Sequence, residues 1–191
     1  MSGANRNGRL FWSAAVVVVI LDVVTKWLAV NTLDLHLPRR VIGNVVRLTL
    51  AYNPGAAFSM SLGSMSRYIF GAFAVIALVI LWRLYRTAAP VERLKVFALG
   101  LAWGGAAGNL IDRFRTPYLG VVDFIDIGVG NVRFWTFNVA DSAVTIGAIT
   151  LGWVLLQEDR QRAVGSSELG AENGTATSPD SDLATPNAPG E

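Results

Sequence analysis

The chain has 191 residues, 52% hydrophobic and 16% charged, with no cysteine, one histidine and six tryptophans. Soluble domains carry about 25% charged residues, so the charge here is too sparse to coat a soluble globule and the apolar content too high for disorder. Without cysteine there is no disulfide framework, thiolate nucleophile or Cys-based metal site, and the lone His36 excludes a multi-histidine centre. What remains is an all-α integral membrane protein of one compact domain, with no nucleic-acid partner.

The formal charge of +2 hides a split. Residues 1–157 hold fourteen Lys/Arg against seven Asp/Glu, and residues 158–191 hold two against seven. Residues 1–9 read as a cytoplasmic N-terminus, and residues 164–191, rich in Gly, Ser, Thr, Pro and Ala, as a disordered cytoplasmic tail that cannot offset ordering entropy. The membrane domain is therefore expected over 10–163.

A bilayer core needs about 20 helical residues. The first span is placed at 10–30, since the apolar run Leu10–Leu21 must continue through Asp22 and Lys26 to be long enough. A cleaved signal peptide is the alternative, disfavoured by three further spans and the lack of an A-x-A-like site. Those spans fall at about 68–86, 95–112 and 135–156. Four spans put both termini on one side. The segments 1–9, 83–95 and 157–165 hold the denser Lys/Arg, which makes that side the cytoplasm.

The two outer segments are long enough for structure. Arg47-Leu48-Thr49-Leu50 alternates as a half-buried strand does. Ile125–Trp135, with Gly128, Gly130 and Asn131, reads as a hairpin or looped turn, and Pro117 ends the helix carrying Arg113. Four transmembrane helices with a small β-containing cap on the outer membrane face is the expected architecture.

Ionisable groups inside spans cost about 2.5–3.5 kcal/mol at mid-helix and mark functional candidates. Asp22, Lys26, Asp112, Arg113, Asp123, Asp126 and Asp141 all fall in the outer half of a span or in the outer loops. Asp22 and Lys26 share a helical face, as do Asn109, Asp112 and Arg113, and Asn138 and Asp141. Gly100, Gly104, Gly105 and Gly108 allow close helix approach. His36, in a loop, reads as incidental. Two carboxylates in a low-dielectric pocket resist ionising together, so one keeps its proton while the other activates water. A magnesium site is the competing use of such a cluster, opposed by the neighbouring Lys26 and Arg113. A small transporter or channel, or a metal-dependent lipid-headgroup enzyme, is the rival reading from another class.

Five blocks then occur in order: Asp22-Val-Val-Thr25-Lys26, Asn53-Pro-Gly55-Ala-Ala-Phe58-Ser59, Gly104-Gly-Ala-Ala-Gly-Asn109-Leu-Ile-Asp112-Arg113, Val122-Asp123-Phe124 and Phe137-Asn138-Val-Ala-Asp141-Ser142. Together they resemble the lipoprotein signal peptidase (signal peptidase II) family of bacterial membrane aspartic peptidases. The resemblance implies cleavage of diacylglyceryl-modified prolipoproteins just before the lipidated cysteine, without metal or other cofactor. It implies Asp123 and Asp141 as the catalytic pair, supported by Asp22, Lys26, Asn53, Asn109, Arg113 and Asn138. It also implies membrane lipid and globomycin-type inhibitors as partners, and a site near the outer leaflet of the bacterial cytoplasmic membrane. In that frame Asp141 lies about seven residues, roughly 10 Å, into the fourth span, and Asp123 comes from the preceding loop. Asn109, Asn138 and Arg113 orient peptide carbonyls or the oxyanion, and Phe58 helps cover the cleft. Asp112 is expected to serve Arg113, and Asp126 to lie on the surface.

Overall fold

A computed structural model describes residues 3–55, 65–115 and 120–175 of the chain. Four helices in this structure are long and apolar enough to cross a membrane: Arg6–Thr32, Ser66–Thr87, Arg93–Arg115 and Val139–Ala163. They belong to α1 (Gly3–Thr32), α2 (Ser66–Thr87), α3 (Arg93–Arg115) and α4 (Val139–Thr175). Residues Met1–Trp153 form one compact unit and Val154–Glu191 a second.

The first unit exposes many apolar side chains and, among the described residues, its buried charged groups lie toward one end of the bundle, with Asn7 buried at the other. On α1 the buried stripe is Phe11, Ala14, Ala15, Val18, Asp22, Lys26 and Ala29, while Val16, Val17, Ile20, Leu21, Val24 and Trp27 are exposed. Lipid tails provide no hydrophobic drive between helices, so small residues that permit close contact line the interior. A Cβ at Gly104 of α3 would lie 2.7 Å from the backbone oxygen of Ala15, and one at Gly105 would collide with that of Ala140. These two glycines let α3 pack backbone to backbone against α1 and α4. At the far end of the bundle from Lys26, Phe11, Val96 and Leu99 form a fully buried cluster, with Phe11 stacked on Tyr85 at 4.2 Å between ring centroids.

A four-stranded antiparallel sheet, ordered β1-β2-β3-β4, is built from β1 (Arg39–Ile42), β2 (Val46–Asn53), β3 (Val121–Val129) and β4 (Val132–Arg133). The alternation at Arg47–Leu50 extends in both directions to fill β2. Gly130, with φ +57°, and Asn131 turn β3 into β4, while Gly128 stays in β3 opposite Arg133. β3 begins earlier than the hairpin signal, because Val121, Val122 and Asp123 pair with Asn53, Tyr52 and Ala51 of β2. Asp123 therefore sits on a strand and not in a loop.

The fourth span begins at Val139, four residues later than the apolar run suggests. Phe134 and Phe137 are drawn into backbone hydrogen bonds with Ile127 and Ile125, which hold this stretch extended. At its other end the α4 backbone is helical through Thr175, where composition suggested a structureless tail from residue 164. A helix already running extends residue by residue without a new nucleus. Residues 176–191 of that tail, Phe58 and Ser59 of the second block, and Pro117 lie outside the described residues.

Candidate active site

The site is assembled at the end of the bundle where α1 and α3 finish and α4 begins. Asn138 is the residue immediately before α4, and its Oδ1 accepts the backbone N–H of Asp141 at 2.8 Å. Asp141 Oδ2 in turn accepts the backbone N–H of Asn138 at 3.3 Å. This is the reciprocal capping-box pattern, which satisfies two donors that a helix start leaves open. Asp141 is thus in the first turn of α4, and the depth of seven residues inferred from the apolar run does not apply.

With its oxygen committed to the cap, the Asn138 amide nitrogen faces the sheet. It donates to Asp123 Oδ1 at 2.7 Å, with Val122 O and Asn109 Oδ1 each at 3.2 Å. Asn138 is completely buried. Asn53 ends β2, and its Oδ1 accepts the backbone N–H of Gly55 at 3.0 Å, closing a tight turn. That leaves its NH2 as the group hydrogen-bonded to Asp123. Asp123, 3% exposed, is pushed up to about 7, first by burial and then by the Asp141 charge; the bonds from Asn138 and Asn53 and the charge of Lys26 pull the other way.

Lys26 lies opposite. Its Nζ reaches Asp22 Oδ2 at 2.7 Å, Asp112 Oδ2 at 2.8 Å and Asn109 Oδ1 at 2.9 Å, using all three ammonium donors. Asp22 Oδ1 accepts the backbone N–H of Ala140 at 2.9 Å, so α1 binds the first turn of α4 directly. A Cβ at Gly108 would lie 2.6 Å from Asp22 Oδ2, so only glycine leaves room for this contact. Asn109 carries the connection onward, its Nδ2 donating to Asp141 Oδ1 at 2.7 Å. Arg113 Nη1 donates to the backbone oxygen of Asn109 at 2.8 Å, and its guanidinium lies in the field of Asp141, Asp112 and Asp123.

Asp22, Lys26, Asn53, Asn109, Arg113, Asp123, Asn138 and Asp141 thus share one network. Two carboxylates outside the expected pair have other partners than the sequence suggested. Asp112 binds Lys26 and accepts the backbone N–H of Val122 at 3.1 Å, anchoring β3 to α3. Asp126 is 7% exposed, not a surface residue; Arg133 Nε donates to its Oδ1 at 2.5 Å and Thr49 Oγ1 to its Oδ2 at 3.1 Å. Its burial depends on the pairing of β3 with β2, which brings Thr49 and Arg47 alongside. His36, with φ +59°, occupies the turn before β1, its backbone N–H on Leu50 O.

Beside Arg113 a cavity of about 280 Å³ opens between the start of α2 and the end of α3, lined by Arg67, Tyr68, Gly71, Val75 and Leu110 among others. Sequence spacing gave no sign of it, because it needs α2 and α3 to be side by side. Arg113, which belongs to the carboxylate network, and Arg67 are its charged lining residues, and most of the others are apolar.

Known proteins resemble this chain in sequence and in fold. The family described as Signal peptidase (SPase) II matches residues 14–157. The chain is 43% identical over 142 residues to a lipoprotein signal peptidase of Geobacillus kaustophilus, covering 74% of this chain and 88% of that protein. It is 44% identical over 158 residues to one from Cupriavidus necator, covering 78% and 87%. A bacterial membrane enzyme solved by the in meso method at 2.3 Å superimposes with a TM-score of 0.68 at 34% identity, covering 76% of this chain and 87% of that one.

Proposed function

The chain belongs to the signal peptidase II family of aspartic peptidases, and from that premise we propose that Asp123 and Asp141 are its catalytic dyad, removing the signal peptide from diacylglyceryl-modified prolipoproteins. The observation that carries this reading is the position of Asn138, whose one side chain binds Asp123 through Nδ2 and caps Asp141 through Oδ1. Two carboxylates from a strand and a helix start are thereby fixed beside each other in a buried site, the arrangement that general acid–base hydrolysis requires.

The chemistry divides between them. Asp141 receives N–H donors on both oxygens, from Asn109 and from the Asn138 backbone, and stands at the positive end of α4. With Asp123 the member that burial keeps protonated above the usual carboxylate range, Asp141 is the base. It takes a proton from water as the water oxygen attacks the carbonyl carbon before the lipidated cysteine. Asp123, buried and raised to about 7, holds a proton at neutral pH and delivers it to the carbonyl oxygen, giving a neutral gem-diol. On collapse Asp141 gives its proton to the cysteine nitrogen as the C–N bond breaks, and a gem-diol hydroxyl returns a proton to Asp123. The signal peptide leaves as a carboxylic acid and the lipoprotein as an amine. The amides of Asn109 and Asn138 are spent on the dyad itself, which leaves Arg113 to orient the scissile carbonyl.

The membrane placement follows from the same reading. Both termini are cytoplasmic, in the bacterial inner membrane, and the dyad faces the outer leaflet, where the acyl chains of the substrate remain. The cavity beside Arg113, lined mostly by apolar residues, receives part of that substrate. Globomycin-type cyclic peptides compete for the same cleft.

Purified protein with a lipid-modified precursor tests the proposal. Wild type yields a shortened product that globomycin suppresses and a chelator does not. Asp123→Asn and Asp141→Asn each abolish cleavage while remaining folded. Cleavage persisting in either folded variant overturns the dyad.

A further inference from the structure

We propose that Lys26 is a positioning residue for this dyad: by holding the carbonyl oxygen of Asn109 it locks that amide with its NH2 toward Asp141, and so decides which of the two carboxylates acts as base. The inference rests on the dyad reading above and adds a residue that touches neither member of the pair.

An asparagine amide is nearly symmetrical in shape, and a half-turn about its last bond exchanges oxygen and nitrogen. At Asn109 that exchange is the difference between donating to Asp141 Oδ1 and placing a second oxygen against it. Lys26 removes the choice. Its ammonium has three donors and no acceptor, and one of them lies 2.9 Å from Asn109 Oδ1. An NH2 turned toward it would meet only donors. The other two donors are fixed on Asp22 and Asp112, and both carboxylates are tied to backbone, at Ala140 and Val122. The ammonium therefore cannot turn away. A charged donor on the oxygen also polarises the amide, which strengthens its N–H toward Asp141. Asp123 has no counterpart to this: its side-chain donors are the neutral amides of Asn138 and Asn53.

Among the described residues, the ionisable groups around Asp123 on β3 and Asp141 on α4 are Asp22 and Lys26 on α1 and Asp112 and Arg113 on α3. Arg113 is held on the backbone oxygen of Asn109, so replacing Lys26 leaves it in place. Loss of Lys26 leaves only the longer, neutral contact from Asn138 Nδ2, at 3.2 Å, on the Asn109 oxygen. The amide is held less firmly, and with it the donor that Asn109 presents to Asp141.

The test is the pH dependence of kcat and KM for the full chain in detergent with a lipid-modified precursor, in Lys26→Met, Asn109→Ala and the double variant. Lys26→Met is expected to lower kcat about ten- to a hundredfold at unchanged KM, with the acidic limb of the pH profile displaced from that of wild type. In the Asn109→Ala background it adds less than about twofold, because the two act through one contact. Should Lys26→Met fail to fold, Lys26→Met/Asp112→Asn, which removes one buried charge of each sign, is compared with Asp112→Asn and shows the same displacement of the limb. A wild-type limb in a folded Lys26 variant, or effects that multiply independently with Asn109→Ala, overturns the proposal. Asp123→Asn and Asp141→Asn in the same assay separate the two readings. Cleavage by either defeats the dyad itself. If both are inactive and the Lys26 result is negative, only the role of Lys26 falls.

Discussion

Asn138 and Asp141 cap each other across the first turn of α4, Oδ1 to N–H at 2.8 Å and Oδ2 to N–H at 3.3 Å. The helix start and the proposed active site are thus one set of bonds, and a single substitution acts on both. Asn138→Ala removes a cap, about 1 kcal/mol, and leaves Asp123 Oδ1 without a buried donor, about 1–3 kcal/mol more. Asn138→Asp keeps the capping oxygen but has no NH2 for Asp123. The expected outcome is a lowered melting temperature for the alanine variant and cleavage reduced about a hundredfold or more in both. Normal cleavage by Asn138→Asp would separate the cap from the chemistry.

Asp123 should make the wild-type fold less stable as pH rises. Its folded value of about 7 lies above the ordinary 3.8, so between those two pH values the folded state binds more protons than the unfolded state. Stability contributed by protonated Asp123 is complete below about pH 4 and is lost as pH climbs through 7. At three units this is about 4 kcal/mol. Asp123→Asn keeps an acceptor for Asn138 and does not ionise. Thermal unfolding in detergent should show the variant gaining on wild type from pH 5 to pH 8, though it does not cleave. A pH-independent difference between the two would mean that Asp123 titrates alike in both states.

Much of this was readable along the chain, and the remainder fails for identifiable reasons. The pairing of Asp22 with Lys26 follows from a spacing of four on a helix, and the glycines of α3 announce close packing before any partner is known. Local patterns end where non-local pairing begins. That Asp123 belongs to a strand depends on Ala51 lying opposite it, more than seventy residues earlier. Trp135 and Phe137 look like span residues because they are apolar, yet the backbone there is bonded to β3, and the cap at Asn138 marks the true helix start. Asp126 reads as exposed because nothing near it in sequence explains its burial. Its cation, Arg133, is recognisable only once the turn at Gly130 folds β4 back.

Asp126 provides a control with the opposite signature to Asp123. It is buried, but its oxygens are bonded by Arg133 and Thr49 on the sheet, away from Asn109, Asn138 and Asp141. Asp126→Asn leaves the Arg133 guanidinium without its carboxylate, and breaking a buried pair in this way costs about 3–5 kcal/mol. The expected outcome is a lower melting temperature. Cleavage per folded molecule should stay within about threefold of wild type, since the substitution does not reach the reacting groups. A folded but inactive Asp126→Asn would make this carboxylate, and not Asp123, the partner of Asp141.

The geometry of the dyad also depends on how closely α4 approaches α3, and Gly105 sets that distance. A Cβ there meets the backbone oxygen of Ala140, and Val144 Cγ2 lies only 2.7 Å from it. Backbone cannot move aside as a flexible side chain can, so Gly105→Ala must push α4 outward. Asp141 is one residue beyond Ala140, and its 2.7 Å bond to Asn109 Nδ2 spans the same interface. Overpacking of this kind costs about 1–3 kcal/mol, and a displacement near 1 Å at the reacting atoms costs about a hundredfold in rate. Gly152, also on α4, has nothing within 4 Å of a built Cβ. There alanine gains helix propensity of about 1 kcal/mol without a clash. Measured side by side, Gly105→Ala should lose both melting temperature and cleavage, while Gly152→Ala gains melting temperature and cleaves as wild type does. Equal cleavage by the two would mean that the α3–α4 separation does not govern the position of Asp141.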